Sequence, residues 1–320
     1  MISNVVVTER LSDQGMELLD RKGFSVRLPE ENSQGAFEVL LPDAEGIVLR
    51  TNVGVDASAI AKAPNLKIVA RTGAGYDNVD VDAATKAGVV VCNLVGVNSV
   101  SVAEHALSLL LSLGKQLPRY DKALRAGDWQ ARRSKAAIEL EGKTLGVAAM
   151  GNVGSRIARM AHDALGMRIT AYDPYVADQY RDYDYEFVDS LEALFEGADF
   201  ITLHLPSLPE TKGVVNGKLL SRMKPGAYLI NTARGDLVNE EDLAEALREG
   251  RIGGAAIDVF AEEPPAADNP LLGLDNVILT PHVASLTKEV TVKAAVGAAQ
   301  AIADFSDGKR PAYVVNPDAL

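Results

Sequence analysis

Residues 144–158 read TLGVAAMGNVGSRIA, and the reading of this stretch decides the fold. TLGVAA is a short apolar run of strand character, MGNVG is a turn, and SRIARMAHDAL has helical spacing. The next run, MRITAYD (167–173), is again strand-like and ends on Asp173, nineteen residues after Gly154. Strand, glycine turn, helix, strand and terminal acid are the parts of a dinucleotide site at the carboxyl edge of a parallel sheet. Gly151 lets the backbone approach a pyrophosphate, and Gly154 lets the helix pack closely on the strand. The helix N-terminus offers free N–H groups to phosphates, and Asp173 can accept from the adenosine ribose hydroxyls. The fingerprint G-x-G-x-x-G also asks for glycine at position 149, which holds alanine. An alanine there is tolerable at negative φ and costs about 1 kcal/mol at positive φ. No Gly-Lys-Ser/Thr follows, so a P-loop is excluded. A similar turn that holds no nucleotide is the alternative reading.

The same alternation of strand and helix patterns extends in both directions. Strand candidates before residue 95 are NVVVT (4–8), GFSVR (23–27), GIVLR (46–50), LKIVAR (66–71) and GVVVCN (88–93). A long apolar helix begins after Asn98, where Ser101 and Glu104 have capping-box spacing. A second series follows: TLGVAA (144–149), MRITAYD (167–173), DFITLHL (199–205), AYLINT (227–232), GAAIDVF (254–260) and NVILT (276–280). Segment 286–305 returns to helical spacing. This pattern predicts two α/β domains with doubly wound parallel sheets of Rossmann or flavodoxin-like type, meeting near residues 95–100.

Composition agrees with two such domains. The chain has 320 residues, 47% of them hydrophobic and 24% charged. Its formal net charge of −12 repels nucleic-acid phosphates and anionic lipid, so neither is expected as a partner. An anionic substrate would need a local basic pocket. One cysteine, Cys92, rules out an intrachain disulfide and a cysteine-rich metal site. No run approaches the ~20 apolar residues of a membrane span, and MISNVVVTER lacks a basic leader. A reduced, cytoplasmic setting is expected, with no metal.

Three candidate catalytic side chains follow strand ends. Arg234 stands in NTARGD, Glu263 in DVFAEEP and His282 in TPHVAS. An arginine holds a carboxylate by two parallel hydrogen bonds. A histidine exchanges a proton with a hydroxyl or carbonyl oxygen, and a glutamate orients the ring and favours its charged form. Glu262 competes with Glu263 for that role on spacing alone. Among the other histidines, His105 on the long helix reads as structural, His162 lies on the helix after the glycine turn, and His204 also ends a strand.

At these residues the chain resembles the D-isomer-specific 2-hydroxyacid dehydrogenase family over nearly its full length. The likeness rests on ARTGAGYDNVD (70–80), NSVSVAEHAL (98–107), GKTLGVAAMGNVG (142–154), AYDP (171–174), HLPSLPET (204–211), NTARGDLVNEEDL (231–243), AAIDVFAEEP (255–264) and LTPHVAS (279–285). The resemblance selects Glu263, immediately before Pro264, and gives Arg234 and His282 the other two catalytic places. It implies NAD as cofactor. The lining residues it implies are Gly151, Asn152, Val153, Gly154, Asp173, Leu205, Pro206, Thr211, Thr232, Ala233 and Asp258, with His282. It implies that backbone amides around Ala74 and Gly75 hold the substrate carboxylate alongside Arg234; Tyr76, also a substrate-contact candidate, departs from the pattern by replacing a small aliphatic residue, and Arg50, at the end of GIVLR, is read from its position on the same rim as a cation for a second anion. The resemblance further implies a discontinuous substrate domain (1–98 and 287–320), a cofactor domain inserted between (99–286), and a homodimer built partly on the long helix.

Within the family the closest likeness is to the phosphoglycerate dehydrogenase branch, and the basic stretch Arg132, Arg133 and Lys135 stands where that branch carries basic residues. A three-carbon 2-hydroxyacid or 2-oxoacid is therefore expected, 3-phosphoglycerate/phosphohydroxypyruvate ahead of hydroxypyruvate. Glyoxylate, sulfonated or aliphatic 2-oxoacids are alternatives. With its last residue at 320, the chain is expected to lack an appended regulatory domain. Asp173 would disfavour the 2′-phosphate of NADP unless Arg156 or Arg181 neutralised it. A reading of another class is an NAD-sensing corepressor, which would not need Arg234, Glu263 and His282 together.

Overall fold

The computed structural model describes residues 2–176 and 183–320; Arg181 lies outside them. Contacts divide the chain into two compact units, Met1–Asn98 with Leu286–Leu320, and Ser99–Ser285.

The first unit begins with β1 (Asn4–Val7), α1 (Asp13–Arg21), β2 (Ser25–Arg27), α2 (Gln34–Glu38), β3 (Gly46–Leu49), α3 (Ala57–Ala61), β4 (Ile68–Arg71), α4 (Val81–Lys86) and β5 (Val90–Cys92). Its strands form a parallel sheet in the order β2-β1-β3-β4-β5. β3 and β4 are buried along their whole length, because helices must cover both faces of a parallel sheet. The short helices start where an aspartate accepts an otherwise unpaired N–H. Asp56 takes that of Ala59 at 2.8 Å and Asp80 that of Ala83 at 2.9 Å.

The second unit comprises α5 (Ser99–Lys115), α6 (Leu117–Arg125), β6 (Thr144–Ala148), α7 (Gly154–Leu165), β7 (Arg168–Tyr172), β8 (Tyr185–Phe187), α8 (Leu191–Gly197), β9 (Phe200–Leu203), α9 (Gly217–Leu220), β10 (Tyr228–Asn231), α10 (Glu240–Arg248), β11 (Gly254–Ile257) and β12 (Val277–Leu279). Among the described residues its sheet has seven strands in the order β12-β11-β10-β9-β6-β7-β8, every neighbouring pair parallel. Alternate strand residues feed two cores. Ile201, Leu229 and Ile257 meet α8, α9 and α10 on one face. Leu145, Val147 and Ile230 meet α5 and α7 on the other. Strand order reverses between β6 and β9, which makes a crevice at their carboxyl ends. The last helix, α11 (Lys288–Ser306), returns to the first unit and packs on α1, β3 and β4.

Two particulars depart from the sequence reading. β8 has no counterpart among the predicted strands, because YEF is three residues long and lies at the sheet edge without a buried side chain. α5 begins at Ser99, so Ser101 is buried inside the helix and caps nothing. Its hydroxyl donates to Ala284 O at 2.6 Å instead.

The glycine turn takes the costlier of its two options. Ala149 has φ +76°, in the left-handed region. Its N–H donates to Tyr172 O at 2.8 Å, and its carbonyl O lies 2.0 Å from where a Cβ on Gly154 would stand. The tight turn and the close helix approach are thus one feature. Ala149→Gly removes the left-handed penalty of about 1 kcal/mol while loosening the unfolded chain by a similar amount. Urea unfolding should find it neutral or up to about 1 kcal/mol more stable, whereas Gly154→Ala should lose about 1–3 kcal/mol through overpacking. A clear loss for Ala149→Gly would show the turn unstrained.

Candidate active site

The crevice edge of the second unit carries the residues proposed for the cofactor. No atom lies within 4 Å of a Cβ built on Gly151, and Val153 occupies the position before α7. Asp173 is pinned at the tip of β7: Oδ2 accepts Met150 N–H at 2.8 Å and Oδ1 accepts Tyr175 N–H at 2.9 Å. Thr211 closes the 205–211 loop on itself, donating to Pro206 O at 2.7 Å and accepting from Leu208 N at 2.8 Å. Leu205 is buried beneath that loop. At the tip of β10, Thr232 Oγ1 is buried without a hydrogen-bond partner among the described residues. An unsatisfied buried hydroxyl, a glycine open to a close approach and a fixed acid together fit a dinucleotide.

The three catalytic candidates lie on the next strand ends. Asn231 is fully buried and shapes the turn after β10, its Oδ1 accepting Ala233 N–H at 3.0 Å and its Nδ2 donating to Arg234 O at 2.8 Å. Arg234 is half-buried, and its Nη1 donates to Ala233 O at 2.6 Å. Gly235 follows because nothing larger fits; a Cβ there would stand 1.9 Å from the Phe260 carbonyl carbon. Glu263 Oε1 accepts Phe260 N–H at 3.1 Å, and Oε2 lies 2.7 Å from His282 Nδ1. The structure therefore pairs Glu263, which spacing could not separate from Glu262, with His282.

Electrostatics follow from this pairing. The hydrogen bond to Glu263 holds the His282 imidazole above its ordinary value; burial and the positive charge of Arg234 oppose the shift without cancelling it. Burial pushes the Glu263 carboxyl up, but the bonds from His282 and Phe260 N–H outweigh it and leave the group below the usual range. His204 is different: burial pushes it down to about 3, and its Nε2 lies 3.0 Å from Thr202 Oγ1, so it stays neutral. Asp258 is fully buried, its carboxylate turned to the 280–284 segment and accepting from Thr280 Oγ1 and from Val283 and Ala284 N–H at 2.5, 2.9 and 3.0 Å.

In the first unit, the 73–75 turn is held from below. Asn93 Nδ2 donates to Ala74 O at 2.6 Å, and Leu94 N–H to Gly73 O at 3.0 Å. Asn78 Nδ2 donates to both Arg50 O and Val53 O, at 2.9 and 2.7 Å, so it ties this turn to the loop after β3. Arg50 Nε pairs with Glu9 Oε2 at 3.4 Å, and Tyr76 is exposed. Arg71, which the sequence reading passed over, is buried at the end of β4. Its guanidinium nitrogens lie 3.8 and 3.9 Å from where a Gly73 Cβ would stand. The signal was a charge ending the otherwise apolar run LKIVAR. Arg132, Arg133 and Lys135 are exposed in the second unit, Arg132 lying 5.3 Å from the Trp129 ring centroid.

Residues 107–284 match the model for the D-isomer specific 2-hydroxyacid dehydrogenase, NAD binding domain. The chain is 43% identical over 315 residues to D-3-phosphoglycerate dehydrogenase of Mycobacterium leprae, covering 98% of this chain and 59% of that protein. It thus spans under two thirds of the length of such relatives. A crystal structure of a Thermus thermophilus protein superposes with TM-score 0.90 at 32% identity, covering 98% of this chain and 99% of that one. An NADPH-dependent glyoxylate/hydroxypyruvate reductase from Sinorhizobium meliloti, in complex with NADP and malonate, superposes with TM-score 0.86 at 28% identity, covering 100% and 98%. By the family match over more than half its length, this chain belongs to the D-isomer specific 2-hydroxyacid dehydrogenases.

Proposed function

We propose that the chain is an NAD-dependent dehydrogenase that interconverts a small D-2-hydroxyacid and its 2-oxoacid. The observation that carries this reading is the 2.7 Å contact between Glu263 and His282 on the sheet edge that also bears Arg234. When bound, the nicotinamide supplies or takes the hydride at C2. Glu263 accepts from His282 Nδ1, which leaves Nε2 to exchange a proton with the C2 oxygen. Reduction thus adds a hydride to carbon and a proton to oxygen, and oxidation removes both. Arg234 would hold the substrate carboxylate by two parallel hydrogen bonds. The positive charge of Arg234 also opposes the pull of Glu263, so the proton remains transferable.

The favoured substrate has a second anion at C3, with phosphohydroxypyruvate/3-phosphoglycerate ahead of hydroxypyruvate. The M. leprae relative and Arg50 support this reading. The family pattern of a homodimer is supported by exposed Leu117, Leu124 and Trp129 just beyond α5. A reduced cytoplasmic setting suits Cys92, whose thiol burial pushes up to about 12. NADH oxidation with any 2-oxoacid in a substrate panel tests the assignment and would set aside a purely sensory role.

Asp173 should disfavour NADP. Two backbone donors stop it from swinging away, and like charges ~4 Å apart at an effective dielectric near 20 repel by about 4 kcal/mol before relaxation. NADH should give a kcat/KM several-fold or more above NADPH, and Asp173→Ala should narrow the gap. Equal use of both by the native protein would sink the cofactor assignment.

The paired histidine sets the pH dependence. Reduction needs the imidazolium, so its rate should fall as pH rises through the elevated His282 value. Glu263→Gln removes the largest raising influence, so the fall should move to lower pH while some activity remains. An alkaline limb that stays put would overturn the role given to Glu263.

Arg50 should act on the C3 anion alone. A charge-assisted phosphate contact contributes about 1.5–3 kcal/mol, so Arg50→Ala should raise KM for the phosphorylated acid roughly tenfold or more and leave glyoxylate nearly unaffected. Glu9 competes for the same guanidinium, so Glu9→Gln should lower that KM. Equal effects on all substrates would make Arg50 a structural residue.

A further inference from the structure

We propose that His105 is a positioning residue that holds the His282 turn in its working geometry through Thr280 and Asp258; the proposal rests on His282 being the acid/base. His105 projects from α5, its Nε2 3.3 Å from Thr280 Oγ1 and 3.5 Å from Asp258 Oδ1. The Thr280 hydroxyl gives its hydrogen to Asp258, so toward His105 it can only accept. That places the hydrogen of the His105 ring on Nε2, aimed at the threonine oxygen and the carboxylate together.

The grip matters because the turn is strained. His282 has φ +52°, a left-handed conformation that costs a side-chain-bearing residue about 1–2 kcal/mol. What holds it there is the Asp258 carboxylate, which gathers the successive N–H groups of Val283 and Ala284 around itself. The His282 N–H in turn donates to Asp258 O at 2.8 Å. Burial works against this carboxylate being charged, and the donors, His105 first among them, keep it ionised. One turn earlier on α5, Ser101 Oγ donates to Ala284 O at 2.6 Å, so one helix holds both the anion and the end of the turn. α6, α7, β10 and β11 also pack on α5; the cluster that the last three share with it is built on Ile157, Ala158, Ala161, Ile230 and Ala256, and its titratable member on β10, Tyr228, is bonded to Gln116 and held un-ionised by burial. The ionised group facing His105 is therefore Asp258, with His282, Glu263 and Arg234 beyond it.

The test compares His105→Gln, which keeps a donor at similar reach, with His105→Phe, which keeps the ring and loses the donor. With four histidines in the chain, NMR titration can follow His282 in the protein alone. In His105→Phe the turn should relax and the His282–Glu263 pair loosen. The His282 midpoint should then fall toward the ordinary imidazole value, the alkaline limb of reduction should move with it, and kcat should drop roughly tenfold to a hundredfold with NADH affinity retained. His105→Gln should restore most of both. Thr280→Val, which cuts the bridge without touching His105, should reproduce the downward shift. An unchanged or upward midpoint in the Phe variant, or a Gln variant as impaired as Phe, would overturn the proposal. If the native protein reduces no 2-oxoacid, the functional reading fails, and the titration still decides whether His105 positions His282.

Discussion

A buried carboxylate organises the site. Asp258 sits with no exposed surface at the tip of β11, where an ion without donors would be costly. Its surroundings answer that cost by folding the 280–284 segment over it, and the fold-over is what presents His282. A less strained turn would leave the charge unsatisfied, and an apolar residue in place of Asp258 would leave two backbone N–H groups without an acceptor. The strain at His282 and the burial of Asp258 are therefore two halves of one arrangement, each tolerable because of the other.

The same edge relies on close backbone approach at two other points. Ala149 turns its carbonyl into the space that only a hydrogen on Gly154 leaves open, and Gly235 lies against the carbonyl of Phe260. The first contact brings the start of α7 down onto the tip of β6. The second fixes the Arg234 turn against the strand end that leads to Glu263. Parallel strands ending in register make this possible: β10 pairs with β11 along its length, so Asn231 and Ile257 finish side by side. The functional side chains then need only short loops to converge, and rigid strand ends position those loops.

How much of this was legible varied with the kind of signal. Strand and helix order was readable because parallel strands buried on both faces leave unbroken apolar runs, and TLGVAA or AYLINT announces itself. β8 was not, since an edge strand of three partly exposed residues carries no such run. Ser101 misled because capping-box spacing recurs inside helices, and only the position of Ala284 shows where its hydroxyl goes. Arg234, Glu263 and His282 were visible as polar residues after strands. The choice between Glu262 and Glu263 needed the family likeness, because it depends on how the chain turns before Pro264. Gly235 and the His105 contacts were invisible, since each acts on residues that sequence distance does not connect to it.

The His282–Glu263 pair also ties the stability of the fold to pH. The raised imidazole contributes stability in full below the unfolded histidine value of about 6.5 and loses it as pH rises through the folded value. The lowered carboxyl contributes above the unfolded glutamate value of about 4.3 and loses it as pH falls through the folded one. The pair therefore stabilises the fold most between those limits. Both side chains are about two-fifths exposed, so solvent keeps that contribution small. On the proposed reading, the proton that reduction would use is lost through that same raised imidazole value. Because that contribution is small, the geometry that elevates His282 is better understood as tuning a proton than as holding the protein together.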